Sequence, residues 1–378
     1  MKILLAPDSF KGSLSSLDVI RIMNSVIRDE WPEAEVIGVP MADGGEGTLD
    51  CILSIAGAQM HTVHVHDPLH QIHKARYAYL PATQTAVFEM AEASGLLLVE
   101  DSLRNPMIST TYGCGELVVD ALNNGYRKFI FFLGGSATND AGAGLLAALG
   151  VTFYQHSTLL HPSPENLSKC TKIDFSAVDV RLNECEVTIA TDVNNPLCGK
   201  NGASFIFGSQ KGANDAMIQE LDATLSHLAD LIESELHIDR RNIPGTGAAG
   251  GLALGLLSVM NGKIVSGINT IIELTDFASI VSDADLVITG EGNTDNQTGF
   301  GKTPIGVARA AKKFNVPVIC ISGGLSPLLD LSSLSEIDAF FSSTTYPMTI
   351  EEAIKNSESN LAAITRSVLR SLKIGQNL

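Results

Sequence analysis

Lys2-Ile3-Leu4-Leu5-Ala6-Pro7-Asp8-Ser9-Phe10-Lys11-Gly12-Ser13 opens on a short apolar run and breaks at a proline into a polar loop. Beyond the loop, Ser15–Glu30 reads as a helix. Val19, Ile20, Ile22, Met23, Val26 and Ile27 fall on one face, and Ser15 with Asp18 resembles a capping box. Strand, loop and amphipathic helix in that order are the repeating unit of a parallel α/β sheet. The unit recurs. Glu35–Pro40 reads as a second strand before a helix over about 48–56, and Lys128–Leu133, Glu186–Thr191, Leu286–Thr289 and Val316–Ile321 read as further strands. Asn214–Leu236 is a long amphipathic helix. Thr303-Pro304 reads as a capping threonine followed by proline at the first helical position.

A chain of 378 residues exceeds what one core usually supports, so two domains are expected. Between Gln59 and Met90 the pattern changes to alternation around Asp67-Pro68, which suggests antiparallel strands. The last third returns to plain strand–helix units. The economical organisation is a doubly wound, largely parallel α/β domain built from both chain ends, 1–66 plus 284–378. An unlike, mixed α/β domain is inserted over 67–283.

Charge narrows the partners. Lys and Arg number 25 against 42 Asp and Glu, a net charge of −17, and no basic run is long enough for a nucleic-acid backbone or an anionic membrane. Small anions stay open, because a few cations and helix N-termini can focus on one cleft. The six cysteines contain no C-x-x-C pair, so neither a disulfide framework nor a zinc site is expected. The first apolar run is too short for a signal peptide, and Leu252–Met260 is too short to span a bilayer. A cytoplasmic protein without nucleic-acid or membrane partners is expected.

The chemistry sits after the strands. Pro7–Ser13, Met41–Thr48, Gly134–Asp140, Thr191–Pro196 and Gly290–Asp295 are polar loops, each with a carboxylate and most with glycine. In open α/β sheets ligands bind at the carboxyl ends of strands, where such loops converge. Any one of these loops alone reads as a tight turn with a helix cap. Five in succession suit phosphoryl transfer to a hydroxyl, in which backbone donors and a lysine hold phosphates, Mg²⁺ bridges them and a carboxylate orients the acceptor. Lys11, Lys200, Lys211 and Lys302 lie in glycine-rich polar segments and are candidate clamps for phosphate or substrate carboxylate. Asp43, flanked by Gly44 and Gly45, is the candidate base. Asp192 and Asp295 lie beside amides that suit phosphate or metal-bound water, and Asp8 can pair with Lys11.

Three patterns carry less. Gly245-Thr246-Gly247-Ala248-Ala249-Gly250 fits G-x-G-x-x-G, but no strand precedes it, so it reads as a glycine-rich entry to a tightly packed helix. Asn296–Thr303 is one residue short of a P-loop. His64 and His66 share a strand face and alternate with Val63 and Val65, the pattern of a half-buried strand.

At these loops the chain resembles the type 1 glycerate kinases. The segments that carry the resemblance begin with Ala6–Ser15, Pro40–Thr48, Glu89–Leu96 and Thr111–Leu117. They continue with Gly134–Asp140, Asp192–Leu197, Phe207–Ala213, Gly245–Gly251 and Gly290–Lys302, essentially the whole length. The resemblance implies transfer of the ATP γ-phosphate to D-glycerate, with 2-phosphoglycerate favoured, Mg²⁺ dependence, and an active-site cleft between two unlike domains. Set on the positions of this chain, the candidate catalytic residues are Asp43, Asp192 and Lys11. Gly134, Gly135, Ser136, Asn139, Lys211, Gly290, Gly292 and Lys302 would bind nucleotide and phosphate. Asp8, Ser9 and Glu46 would bind substrate, and Asp192, Asp295 and Glu291 the metal. One departure is visible: the family commonly has Arg after Gly-Glu-Gly, where this chain has Asn293. A kinase for another small hydroxy acid and a bilobal binding protein are the rival readings, and the sequence sets no oligomeric state.

Overall fold

The computed structural model describes residues 1–295, 302–327, 330 and 334–376. The chain divides into two compact units, one of residues 1–43, 50–55 and 266–378, the other of 44–49 and 56–265. The junctions expected at 66–67 and 283–284 lie elsewhere, for physical reasons. Gln59–His66 pairs antiparallel with Ile72–Leu80 along its whole length, from Gln59 opposite Tyr79 to His66 opposite Ile72. A boundary at 66 would strip that strand of its backbone partners. At the other junction the helix Gly267–Leu274 packs within the first unit. Gly306, on the helix Thr303–Lys312, lies so close to it that a Cβ would meet Ile268 Cγ1 at 2.3 Å.

The first unit is built on a five-stranded, wholly parallel sheet. Its strand order is Ala339–Ser342, Val318–Ser322, Leu286–Thr289, Lys2–Leu5, Glu35–Gly38. Ile3, Leu4 and Leu5 are all buried although successive side chains point to opposite faces, so both faces are covered, as a doubly wound sheet requires. Over one face lie Ser16–Glu30 and the last helix, Ser357–Gln376, burying Val19, Met23, Ile27, Leu361 and Leu369 against Ile3 and Leu5. Arg366 and Arg370 hold Glu30 at 2.8 and 3.0 Å across that helix pair. Ser15 caps its helix as expected, accepting from Asp18 N at 3.1 Å. The expected threonine cap is corrected. Lys302 is the N-cap of Thr303–Lys312, and Thr303 is already helical, which frees its hydroxyl for another partner.

In the second unit a six-stranded mixed sheet runs Asn261–Val265, Glu186–Ala190, Lys128–Phe132, Thr85–Glu89, Ile72–Leu80, Gln59–His66. The first four strands pair parallel and the last two join antiparallel, as the alternation after Gln59 predicts. Its core gathers Phe88, Phe129 and Phe131 from the sheet with Leu117 and Leu252 from flanking helices. Asn214 caps the helix Asp215–Leu236 through Met217 N at 3.0 Å. The chain is thus α/β; its two large sheets are one parallel and one mixed, beside a two-stranded and a three-stranded sheet among the described residues.

Gly245–Gly251 is an entry to a packed helix. Gly250 has φ +65°, and a Cβ there would meet the Thr138 carbonyl oxygen at 2.1 Å; at Gly247 it would meet the Pro196 carbonyl oxygen at 2.2 Å. Backbone cannot yield as a side-chain end can, and positive φ adds strain. Gly250→Ala should therefore destabilise the second unit by roughly 2–4 kcal/mol. Urea denaturation would measure it, and a midpoint equal to wild type would mean that the close approach is not maintained.

Candidate active site

The parallel sheet of the first unit changes winding direction between Lys2–Leu5 and Leu286–Thr289. From the first of these strands the chain moves to one side, and from the second to the other. Such a switch point parts the loops at the carboxyl ends of its strands and leaves a crevice. Here the crevice is a pocket of about 430 Å³, lined by Asp8, Ser9, Lys11, Asp43, Glu291, Gly292, Asp295 and Lys302, among others. Eight sequence-predicted residues from three loops and a helix N-cap therefore meet in one place.

Asp8 sits deepest. It is 5% exposed, accepting from Ser9 N at 2.6 Å and from the Thr303 hydroxyl at 2.7 Å. Burial, and then the negative charge of Asp43, push its carboxyl up to about 7, against the pull of these hydrogen bonds and of Lys11. Lys11 lies 3.5 Å from Asp43, and its side chain is 61% exposed, so the ammonium can leave that contact for an incoming anion. Its pKa is raised, chiefly by Asp43. Across the pocket Lys302 stands 3.7 Å from Asp295. Glu291 is buried and accepts from the Thr294 hydroxyl at 3.0 Å, which is itself 2.6 Å from Ser322 Oγ. Asn293, at the position of the family arginine, also lines the pocket.

Four carboxylates against two lysines leave an excess of negative charge, and burial makes one carboxylate hold its proton to near neutrality. An oxygen-only donor set with surplus charge fits a hard divalent cation such as Mg²⁺. Among the described residues no group of three or more His, Cys, Asp or Glu forms a metal cage of its own. Mg²⁺ does not need one, since it keeps waters and substrate phosphates beside one or two carboxylates.

The other predicted residues lie outside this pocket. Gly290 is packed under the sheet end, where a Cβ would meet the Ile321 carbonyl oxygen at 2.1 Å. Glu46, Gly134, Gly135, Ser136, Asn139, Asp192 and Lys211 belong to the second unit, and Glu46 is exposed. Lys211 is no surface clamp. It is 2% exposed, donating to Ser136 Oγ at 2.8 Å and the Thr138 carbonyl at 2.6 Å, and burial drives its pKa down to about 7. Asp140 accepts from Thr111 N, Thr111 Oγ1, Gly142 N and Gly144 N at 2.8–3.1 Å, while Asn139 donates to Ser204 Oγ at 2.8 Å. These side chains hold the Gly134–Asp140 loop from within. Gly135, at φ +71°, is exposed. Lys200 is exposed as well, and Asn296–Gly301, the near-P-loop, falls outside the described residues.

Sequence reading missed part of the lining: Gly323, Gly324, Ser343, Thr344 and the helix Ile350–Lys355. The signal for the first pair was present, since Ser322-Gly323-Gly324 also ends a strand. A search for carboxylate-bearing loops passes over it.

The profile of the glycerate kinase family matches residues 3–373. Glycerate kinase of Bacillus cereus (strain ATCC 10987 / NRS 248) is 43% identical over 375 residues, 99% of this chain and 98% of that one. Glycerate 2-kinase of Escherichia coli (strain K12) is 42% identical over 377 residues, 99% of each. A crystal structure from Salmonella typhimurium LT2, put forward as glycerate kinase 2, superposes with a TM-score of 0.85 at 41% identity, covering 100% of both chains. The fold and pocket thus go with a phosphotransferase. The chain belongs to the glycerate kinase family. No described helix is long and apolar enough to cross a membrane.

Asp8 makes the site testable by stability alone. A carboxyl whose folded-state pKa is raised binds more protons folded than unfolded between about pH 4 and 7, so its ionisation lowers stability as pH rises through that window. Asp8→Asn cannot ionise. Relative to wild type it should gain stability from pH 4 to 7, on the order of 2–4 kcal/mol. Urea midpoints across that range would show it; a difference that stays constant with pH would mean Asp8 is not the strained group.

Proposed function

We propose that the chain transfers the γ-phosphoryl group of ATP to a hydroxyl of D-glycerate, with 2-phosphoglycerate as product and Mg²⁺ as cofactor. The observation that carries this reading is the pocket at the switch point of the parallel sheet, where Asp8, Asp43, Glu291 and Asp295 face Lys11 and Lys302. Family membership supports the acceptor and ATP, and the name of the Escherichia coli relative supports the 2-hydroxyl. A cytoplasmic location goes with a co-substrate of this kind.

Each residue has a part that its surroundings suit. Asp43, half-buried beside the exposed Lys11 ammonium, orients the acceptor hydroxyl and takes its proton as the new O–P bond forms. Lys11 exchanges Asp43 for the glycerate carboxylate, and Ser9 with Asp8 closes the acceptor side. Lys302 exchanges Asp295 for phosphate oxygens. Glu291 and Asp295 are the residues that would hold Mg²⁺, which when bound neutralises charge on the phosphates. Once that cation is near, the Asp8 carboxyl should fall back toward its ordinary range. This reading needs no part for Asp192.

Asp43→Asn keeps shape and hydrogen bonding but removes the base. The kcat should fall by roughly 10²–10⁴-fold with the KM for ATP little changed. A kcat within a few-fold of wild type would remove Asp43 from the mechanism. Metal stripping followed by excess chelator should abolish transfer, with activity returning on added Mg²⁺; undiminished turnover would exclude the metal. Phosphorus NMR of the product, with a panel of small hydroxy acids as acceptors, tests the regiochemistry and the substrate.

A further inference from the structure

The pocket of the first unit has a second wall that glycerate and phosphates cannot use. Ile350, Ala353 and Ile354 line it from the helix Ile350–Lys355. Ile350 is 81% exposed and Ile354 43% exposed. At i and i+4 the two share one face of the helix. A helix of this length would not hold them in place alone, but it is tied by a complete capping box. Glu352 N donates to Thr349 Oγ1 at 3.2 Å, and Thr349 N donates to Glu352 Oε2 at 2.9 Å. Gly323 and Gly324 also line the pocket, packed against Gly292 and Asn293 of the neighbouring loop. The hydroxyls of Ser343 and Thr344 are turned onto the Gly323 carbonyl at 3.3 and 2.7 Å, so that rim offers little free polarity.

One cavity therefore combines carboxylates and lysines with open aliphatic side chains. A volume of about 430 Å³ is that of a pocket for a drug-sized ligand and exceeds what a three-carbon acid fills. A ligand charged at one end and flat and apolar at the other matches it. We propose that this wall is the base subsite of the nucleotide: the purine lies against Ile350, Ala353 and Ile354, with Gly323–Gly324 beside it, and its phosphates extend toward Lys302, Glu291 and Asp295. The inference rests on the kinase reading and assigns the nucleotide to the first unit.

The test compares two ligands of the full-length protein by calorimetry, ADP and inorganic tripolyphosphate. Only ADP carries a base. Ile350→Gln with Ile354→Gln removes the apolar contact without adding charge, at exposed positions where folding does not depend on it. The Kd for ADP should rise roughly five- to tenfold. Tripolyphosphate affinity and the KM for glycerate should stay within twofold, and Ile354→Met in the otherwise native chain should keep ADP affinity near wild type. Unchanged ADP binding in the double variant overturns the proposal, as does an equal loss for both ligands or no ADP binding by the wild type. Wild-type protein that shows the expected ADP pattern but phosphorylates no glycerate would refute the kinase reading and leave the subsite standing. Active kinase with an unaffected double variant would refute the subsite alone.

Discussion

The parallel pairing of Lys2–Leu5 with Leu286–Thr289 is the contact on which the rest of the first unit depends. It joins segments some 280 residues apart, and it continues past the strands. Ala6 N donates to the Ile288 carbonyl at 2.9 Å, Asp8 N to the Gly290 carbonyl at 2.8 Å, and the Thr289 hydroxyl to the Ala6 carbonyl at 2.8 Å. These bonds run the two chains side by side up to the point where their loops part. The loop ends with Asp8 and Glu291 on one pocket only because the register puts Leu5 against Ile288. A slip of one residue would turn every side chain on that strand to the other face and take the site apart.

Charge in the pocket follows from the same pairing. Asp8 lies too deep for water to stabilise its ionised form, and Asp43 repels it further. Thr303 offsets part of this with its hydroxyl. That hydroxyl is available because Lys302, a residue earlier, takes the capping position, with Pro304 inside the first turn. A carboxylate cluster of this kind is costly while no positive charge compensates it.

The second unit uses its polar loop differently. Asp140 is buried but satisfied by four donors, and Lys211 is buried with two acceptors. Replacing either would leave partners without hydrogen bonds in a dry interior, so the network fixes the conformation of Gly134–Asp140. Gly-rich loops of similar appearance thus differ within one chain: those of the first unit line a pocket, and Gly134–Asp140 is braced by buried side chains.

Periodicity alone determined most of the secondary structure. Ser15–Glu30 shows a 3.6-residue apolar stripe, Leu286–Thr289 a short apolar run, and Gln59–Leu80 alternation, and each became the element its pattern implies. The carboxylates of the pocket were legible too, since Asp8, Asp43, Glu291 and Asp295 all come after strands. Local pattern says nothing of which strands become neighbours, and so nothing of which loops share a crevice. Gly290 and Lys211 show this. By sequence they sit in similar Gly-rich loops, and only the structure shows that one packs under a carbonyl and the other is buried among loop side chains. The domain junctions were missed because Gln59–His66 and Gly267–Leu274 take their places from pairing and helix packing, which composition does not record. Ile350 and Ile354 carry no signal in the sequence, since no local pattern there marks a site. Only the tertiary structure puts them on the pocket, because it leaves the short helix beside the strand-end loops with these side chains uncovered.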